Sequence, residues 1–269
     1  MLVTSYISAQ NSYIIGVSLN TQSTTNFDKN ENTINITTAN QTSSTITIKN
    51  TLEYQNTTLN YKKNNFTRLN QLNNLKRVAY NFELEYQLYS KVKLVANVNP
   101  FIGFKTDLKF SNIDLLGGIA VEYLFNPNQH LILGIERNTF FGEIKIVPTV
   151  TFHHQVNQKL YYDVGFPSTK VSYSNNTRNQ FRLITSLKGN SYILYEPRLF
   201  DTVISKSEVQ FSTLSSLVEF ERNIDSNWFL SFQGGYENNK KFEVIGTTTS
   251  QNFNNTQGYK LSLGIKYKL

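Results

Sequence analysis

The residues of this chain best placed to do chemistry are its carboxylates and cations. Glu83, Glu85, Glu122, Glu136, Glu219 and Glu221, with Lys93, Arg182, Lys260, Lys266 and Lys268, stand in stretches where apolar and polar residues alternate. On a β-strand successive side chains point to opposite faces, so these charges share one face and their apolar neighbours the other. Charges of both signs inside a closed sheet have two uses. They pair into a salt-bridge lattice that fills the space, or they line a constriction that selects passing solutes. Neutralising Glu83 and Glu85 separates the two, because ion selectivity changes only under the second.

Other chemistries find less support. The histidines are His130, His153 and His154. Adjacent residues on a strand point apart, so His153 and His154 do not grip one metal without a bulge. They read as polar residues near turns. With no cysteine there is no disulfide framework and no thiolate metal site. A lipid-hydrolysing barrel needs a His close before a Ser on one strand, and no His-x-Ser occurs. Gly117-Gly118 and Gly234-Gly235 lie inside strand patterns, where backbone approaches closely, and not in phosphate loops. The expectation is a protein without catalytic residues, metal or cofactor.

The elements that must carry the charges are strands. In the last twelve residues Tyr259, Leu261, Leu263, Ile265, Tyr267 and Leu269 alternate with small or cationic residues. Val78 to Leu88, Leu115 to Phe125 and Trp228 to Tyr236 repeat the scheme. Turn signals fall at 89–91, 126–128, 155–158, 174–179 and 223–227, and helical spacing appears over no useful length. The chain is read as all-β. Residues 20–76 are dominated by Asn and Thr. Ser44–Lys49 and Leu52–Lys62 have strand composition there, and the rest reads as exposed loop, long enough to fold inward as a plug.

Composition points these strands at a membrane. Of 269 residues 39% are hydrophobic and 17% charged, and no apolar run of about 18 residues offers a helical span. The mean hydropathy of −0.36 does not oppose a barrel, since alternation averages its two faces away. Tyr86, Tyr123, Phe125, Phe220, Trp228 and Tyr267 sit on the apolar face beside short turns, as a girdle at the inner interface. Phe104, Phe110, Phe140, Phe141 and Phe200 lie about a strand away and are candidates for the outer girdle. Short turns alternate with longer polar connections such as 237–257, a segregation that a secreted β-sandwich has no reason to show. Five short turns predict a transmembrane antiparallel β-barrel of about 12 strands, with short periplasmic turns and long extracellular loops; a sixth turn near Gln55 would give about 14. Residues 159–174 are too few to cross a membrane twice, so Gly165-Phe166-Pro167 marks a low hairpin or a kinked single strand. The net charge of +7 is spread along the chain, and no nucleic-acid partner is expected.

The final strand, ending on Leu269 with Tyr267 two residues before it, resembles the closing strand of bacterial outer-membrane barrels that the barrel-assembly machinery recognises. Residues 1–10, MLVTSYISAQ, look like the remnant of a secretory signal peptide cleaved near Ala9 or Gln10, or else an ordinary first strand. Alanine followed by glutamine there resembles signals of Bacteroidota. The string from Asp163 to Tyr173, DVGFPSTKVSY, resembles a flavobacterial type of outer-membrane β-barrel family from Bacteroidota. That resemblance implies fold and location and supplies no catalytic residues. The expectation is one barrel domain over 11–269 in the outer membrane of a Gram-negative bacterium, its outward face against lipid. Its leading function is a narrow passive channel for small solutes, lined by Glu83, Glu85, Glu122, Glu136, Arg182, Glu219, Glu221, Lys260 and Lys266. The alternative is a non-conducting subunit of an outer-membrane insertion, secretion or export complex. A third reading is a soluble secreted adhesive domain.

Overall fold

Period-two alternation leaves each strand with one face to enclose, and the chain meets this demand by closing a sheet on itself. The structure, a computed structural model, describes residues 11–62, 73–105, 108, 112–198, 201–245 and 250–269. Its strands are β1 (Asn11–Thr24), β2 (Phe27–Gln41), β3 (Ile46–Tyr61), β4 (Asn74–Tyr89), β5 (Val92–Phe104), β6 (Ile113–Asn126), β7 (Gln129–Asn138), β8 (Lys145–Gln155), β9 (Leu160–Phe166), β10 (Ser168–Ser174), β11 (Asn179–Arg198), β12 (Asp201–Asn223), β13 (Trp228–Ile245), β14 (Ser250–Asn252) and β15 (Thr256–Lys268). From β1 to β13 each pairs antiparallel with its chain neighbour, and β15 pairs with both β13 and β1, so the ring closes. At the seam Ile14 lies opposite Lys268 and Thr24 opposite Gly258.

Of the fifteen strands fourteen form the wall, since β14 only extends the tip of β13, and that is two more than the expected twelve. The five turns read from the sequence are present. The sixth lies at 42–45, between β2 and β3, whereas Gln55 is buried in the middle of β3. Much of the Asn/Thr-rich stretch is therefore wall, neither loop nor plug. Ile34, Ile36, Leu52 and Tyr54 supply its exposed apolar face. Asn and Thr then suffice on the other face, where side chains meet a polar interior. Residues 160–174 form the low hairpin, two seven-residue strands turning at Pro167.

Connections at the end of the barrel holding 42–45, 90–91, 127–128, 156–159, 175–178 and 224–227 are short. The opposite end, the loop end, mixes longer connections such as 139–144 with the two-residue turn Thr25-Asn26 and Pro167 alone. The expected contrast of short turns and long loops is thus only partial. Much of the height comes from strands instead: β11, β12 and β13 run 20, 23 and 18 residues beside the low hairpin.

Ile15, Leu19, Ile119, Leu133, Leu183, Val218 and Leu261 are exposed on the outward face. Beside the turn end Tyr86, Tyr123, Phe125 and Trp228 are exposed, and Phe220 and Tyr267 half-buried. Rings pair there between strands, Trp228 with Tyr267 at 4.9 Å and Phe220 with Phe181 at 5.1 Å. Tyr236 and Tyr259 pair at 5.7 Å nearer the loop end. From Trp228 to Tyr236 the strand rises about 27 Å, roughly 20 Å along the axis at a tilt of about 40°. That matches the apolar band of about 25 Å of membrane barrels. Phe140 and Phe141 lie in the β7–β8 connection, against Phe166. Phe104 ends β5, half-buried. Phe110, Phe200 and residues 1–10 lie outside the described residues.

Candidate functional site

Toward the loop end the lumen is narrowed by apolar side chains. Phe27, Leu59, Leu75, Tyr192, Val209, Phe211, Phe242, Val244 and Phe253 form one buried cluster contributed by β2, β3, β4, β11, β12, β13 and the segment after β14. Phe211 and Phe242 stack at 4.4 Å, and Phe27 meets Phe242 edge-on at 4.9 Å. A bulge makes this possible. Thr213 faces Asn239 but Ser212 faces Lys241, so Lys240 is the extra residue and parity reverses beyond it. Trp228, Phe232 and Tyr236 point outward, while Phe242 and Val244, also at even positions, point inward. Tyr192 lies against Gly103 of β5, where an added Cβ would stand 2.9 Å from its ring. The β11–β12 hairpin therefore leans across the lumen onto β5.

Nearer the turn end the inward charges form a belt. Lys49 pairs with Glu83 at 3.5 Å, and Lys93 with both Glu85 and Glu122 at 3.2 Å. His130 stands 3.8 Å from Glu122 and stacks at 4.4 Å on His153, which bonds Asp163 at 2.5 Å. Asp163 pairs with Lys170 at 2.8 Å. Arg182 binds Glu219 and Glu221, and Lys266 binds Glu221. Seven of the nine candidate lining residues lie in this belt. Lys260 sits higher, and Glu136 accepts a bond from the Asn138 amide at 3.1 Å. His154 points the other way from His153 and bonds the Tyr162 hydroxyl at 2.7 Å. Glu219 and Glu221 are nearly inaccessible, and removing the guanidinium leaves Glu219 to the Gln233 amide and Glu221 to Lys266. Arg182→Ala should cost about 3 kcal/mol of stability, read as a lower urea midpoint of the folded barrel, with Arg182→Lys retaining part of it. An unchanged midpoint would mean that Lys266 and Gln233 already satisfy both carboxylates.

Between plug and belt lies a polar cavity of about 550 Å³. Its charged lining is Lys29, Glu31, Glu53, Arg77, Lys188, Glu237 and Lys260. Arg77 pairs with Glu53 at 3.3 Å, and Glu237 receives Lys260 at 2.8 Å and Lys29 at 3.8 Å. The Gln55 amide bonds Glu31 at 2.7 Å. Lys188, among the described residues, has no hydrogen-bond or ion-pair partner, and its exposed side chain borders the cavity. Of these seven, only Lys260 was a candidate from sequence. Lys29, Glu31 and Glu53 fall in the stretch read as partly loop, although their alternation with Ile34, Leu52 and Tyr54 places them on the inner face. Lys188 and Glu237 share the inward parity of Arg182 and Glu219, and that signal could have found them.

The β7–β8 connection closes the remaining side. Thr139 Oγ1 donates to the Gly189 carbonyl at 2.7 Å, Ser212 Oγ to the Phe140 carbonyl at 2.6 Å, and Lys241 Nζ to Glu143 at 2.9 Å. The Lys241 bond holds the Glu143 carboxyl below the usual carboxylate range. Ile144 packs on Ala79, Phe101 and Leu116.

The family described as a domain of unknown function (DUF6268) matches residues 5–268. The chain belongs to the DUF6268 family. No curated protein matches it. Among solved structures, the deltaS2 mutant of the TodX monoaromatic hydrocarbon channel aligns over 96% of the DUF6268 chain and 90% of its own, with TM-score 0.53 and 9% identity. An outer membrane channel from Pseudomonas putida F1 aligns over 97% and 95%, with TM-score 0.48 and 8% identity. The KdgM porin aligns over 94% and 98%, with TM-score 0.39 and 8% identity. At such identities the likeness concerns the fold, a barrel of the outer-membrane type.

Proposed function

We propose that this DUF6268 barrel lies in the outer membrane of a Gram-negative bacterium and is a narrow passive channel for small solutes. The supporting observation is the polar cavity with an unpaired ammonium inside a fourteen-stranded ring. Eight-stranded barrels fill with their own side chains, and 16–18 strands leave an aqueous pore. Fourteen fall between, and here part of the interior stays empty and charged. Lipid would cover the outward face, and the assembly machinery would engage β15 during insertion. Single-channel recording of the folded protein in a planar bilayer tests the proposal, with stable ohmic steps as the expected result. Silence from a correctly folded barrel would remove it. Neutralising Glu83 and Glu85 together should shift the ion preference of those steps several-fold toward anions while the barrel still folds. Unchanged selectivity would leave the belt a purely structural lattice.

A second reading, a non-conducting subunit of an outer-membrane insertion, secretion or export complex, draws on a groove in the wall. Gly117 sits there among Ile113, Leu115, Ile119, Ile135 and Ile146, open over about 600 Å³. Small-residue patches let a neighbour approach closely within a membrane. A stoichiometric partner that co-purifies with the barrel and is lost on Ile119→Arg would favour this reading.

A further inference from the structure

The wall is interrupted between β8 and β11. The hairpin of β9 and β10 pairs with β8 only from Val150 to Gln155, and with β11 only up to Ser186. Above it, among the described residues, the edge of β8 facing away from β7 from Lys145 to Thr149, and the edge of β11 facing away from β12 beyond Leu187, pair with no strand. An open sheet edge facing lipid is costly, because its N–H and C=O groups find no partner there. The chain bridges the gap with the β7–β8 connection. Phe140 meets the Phe166 ring edge-on at 5.8 Å, and Phe141 stacks on it at 6.3 Å. Thr139, Phe140 and Gly189 also line the polar cavity, so these rings stand between the cavity and the outside.

We propose that this interruption is a lateral portal, closed by Phe140, Phe141 and Phe166, through which a small amphipathic anion passes between the apolar surface and the cavity. The proposal rests on the channel reading and names its route and solute class. Chemistry on the two sides sets that class. Outside, Ile146 is 75% exposed and Val150 and Phe141 are exposed as well, a surface for an apolar tail. Inside, the unpaired Lys188 offers a partner for an anionic head. Height agrees: β9 rises about 20 Å, roughly 15 Å along the axis at a tilt of about 40°, which puts the gap in the outer part of the apolar band. The axial route is narrowed by nine buried apolar side chains, whereas the lateral one is covered by three rings, two of them on a connection tied to β11, β12 and β13 by a few side-chain bonds.

The test uses the folded barrel in liposomes with hexanesulfonate, whose charge is permanent, and methanesulfonate as a comparison without a tail. Phe140→Ala, Phe141→Ala and Phe166→Ala combined should raise hexanesulfonate entry about fivefold or more, and Phe253→Ala in the plug should leave it unchanged. Because the chain has no cysteine, Phe141→Cys provides a milder variant, and coupling a bulky thiol reagent there should cut entry about tenfold. If the plug variant raises entry, and both the triple variant and the blocked cysteine leave it unchanged, the portal is overturned and the channel stands. If no folded form, wild type included, passes either sulfonate or any current, the channel reading falls and the portal with it.

Discussion

Replacing Lys188 by glutamate inverts the ion preference of the lumen. Four cations and three carboxylates line the cavity, and Lys188 is the cation that, among the described residues, no carboxylate bonds. Its reversal turns a slight positive excess into a negative one without breaking an existing pair. A unit charge about 5 Å from a passing ion is worth roughly 3 kcal/mol at an effective dielectric of about 20. Water and salt in the lumen reduce this, and about a tenfold change in the anion-to-cation permeability ratio remains as the expected effect. Lys188→Met should fall between wild type and Lys188→Glu. Reversal potentials under a salt gradient read the ratio directly, and three identical values would show that permeating ions do not pass Lys188.

Truncating Phe242 destabilises the barrel more than truncating an aromatic on the same strand below the bulge. The Phe242 ring is fully buried, stacked on Phe211, edge-on to Phe27 and 4.9 Å from Phe253. Phe242→Ala leaves a void among side chains held by six strands, which relax little, and losses of about 3–5 kcal/mol are usual for such a change. Phe232 lies on the outward face, 48% exposed, where lipid would refill the space. Phe232→Ala should therefore lose only the transfer of the ring from water to lipid, about 1–2 kcal/mol. Urea unfolding of both variants in vesicles compares them. Equal losses would mean that Phe242 does not face the lumen.

Much of the barrel could be read from the chain itself. Strict alternation in β4, β6 and β15 identified the outward residues, and the turns at Ser90, Pro127 and Asn223–Asn227 set the strand ends. Parity also put Glu83, Glu85, Glu122, Arg182, Glu219 and Lys266 on one face, because a strand leaves no freedom over which side a residue takes. What alternation could not reveal was the strand count through the Asn/Thr stretch. Polar inward residues there look like loop until the neighbouring strands show that the interior is wet.

Three features were decided by the tertiary structure alone. The extra residue at Lys240 reverses parity and sends Phe242 and Val244 into the plug, a change that local sequence does not signal because a bulge depends on the partner strand. The lean of β11–β12 onto Gly103 narrows the axis through contacts between strands far apart in the chain. The freedom of Lys188 is likewise a property of the ring, since its neighbours Glu31, Glu53 and Glu237 come from β2, β3 and β13 and bond other groups. Local alternation determined which face each residue takes. Only closure of the barrel decided which of the inward residues meet, because that depends on register and on strand height around the whole ring.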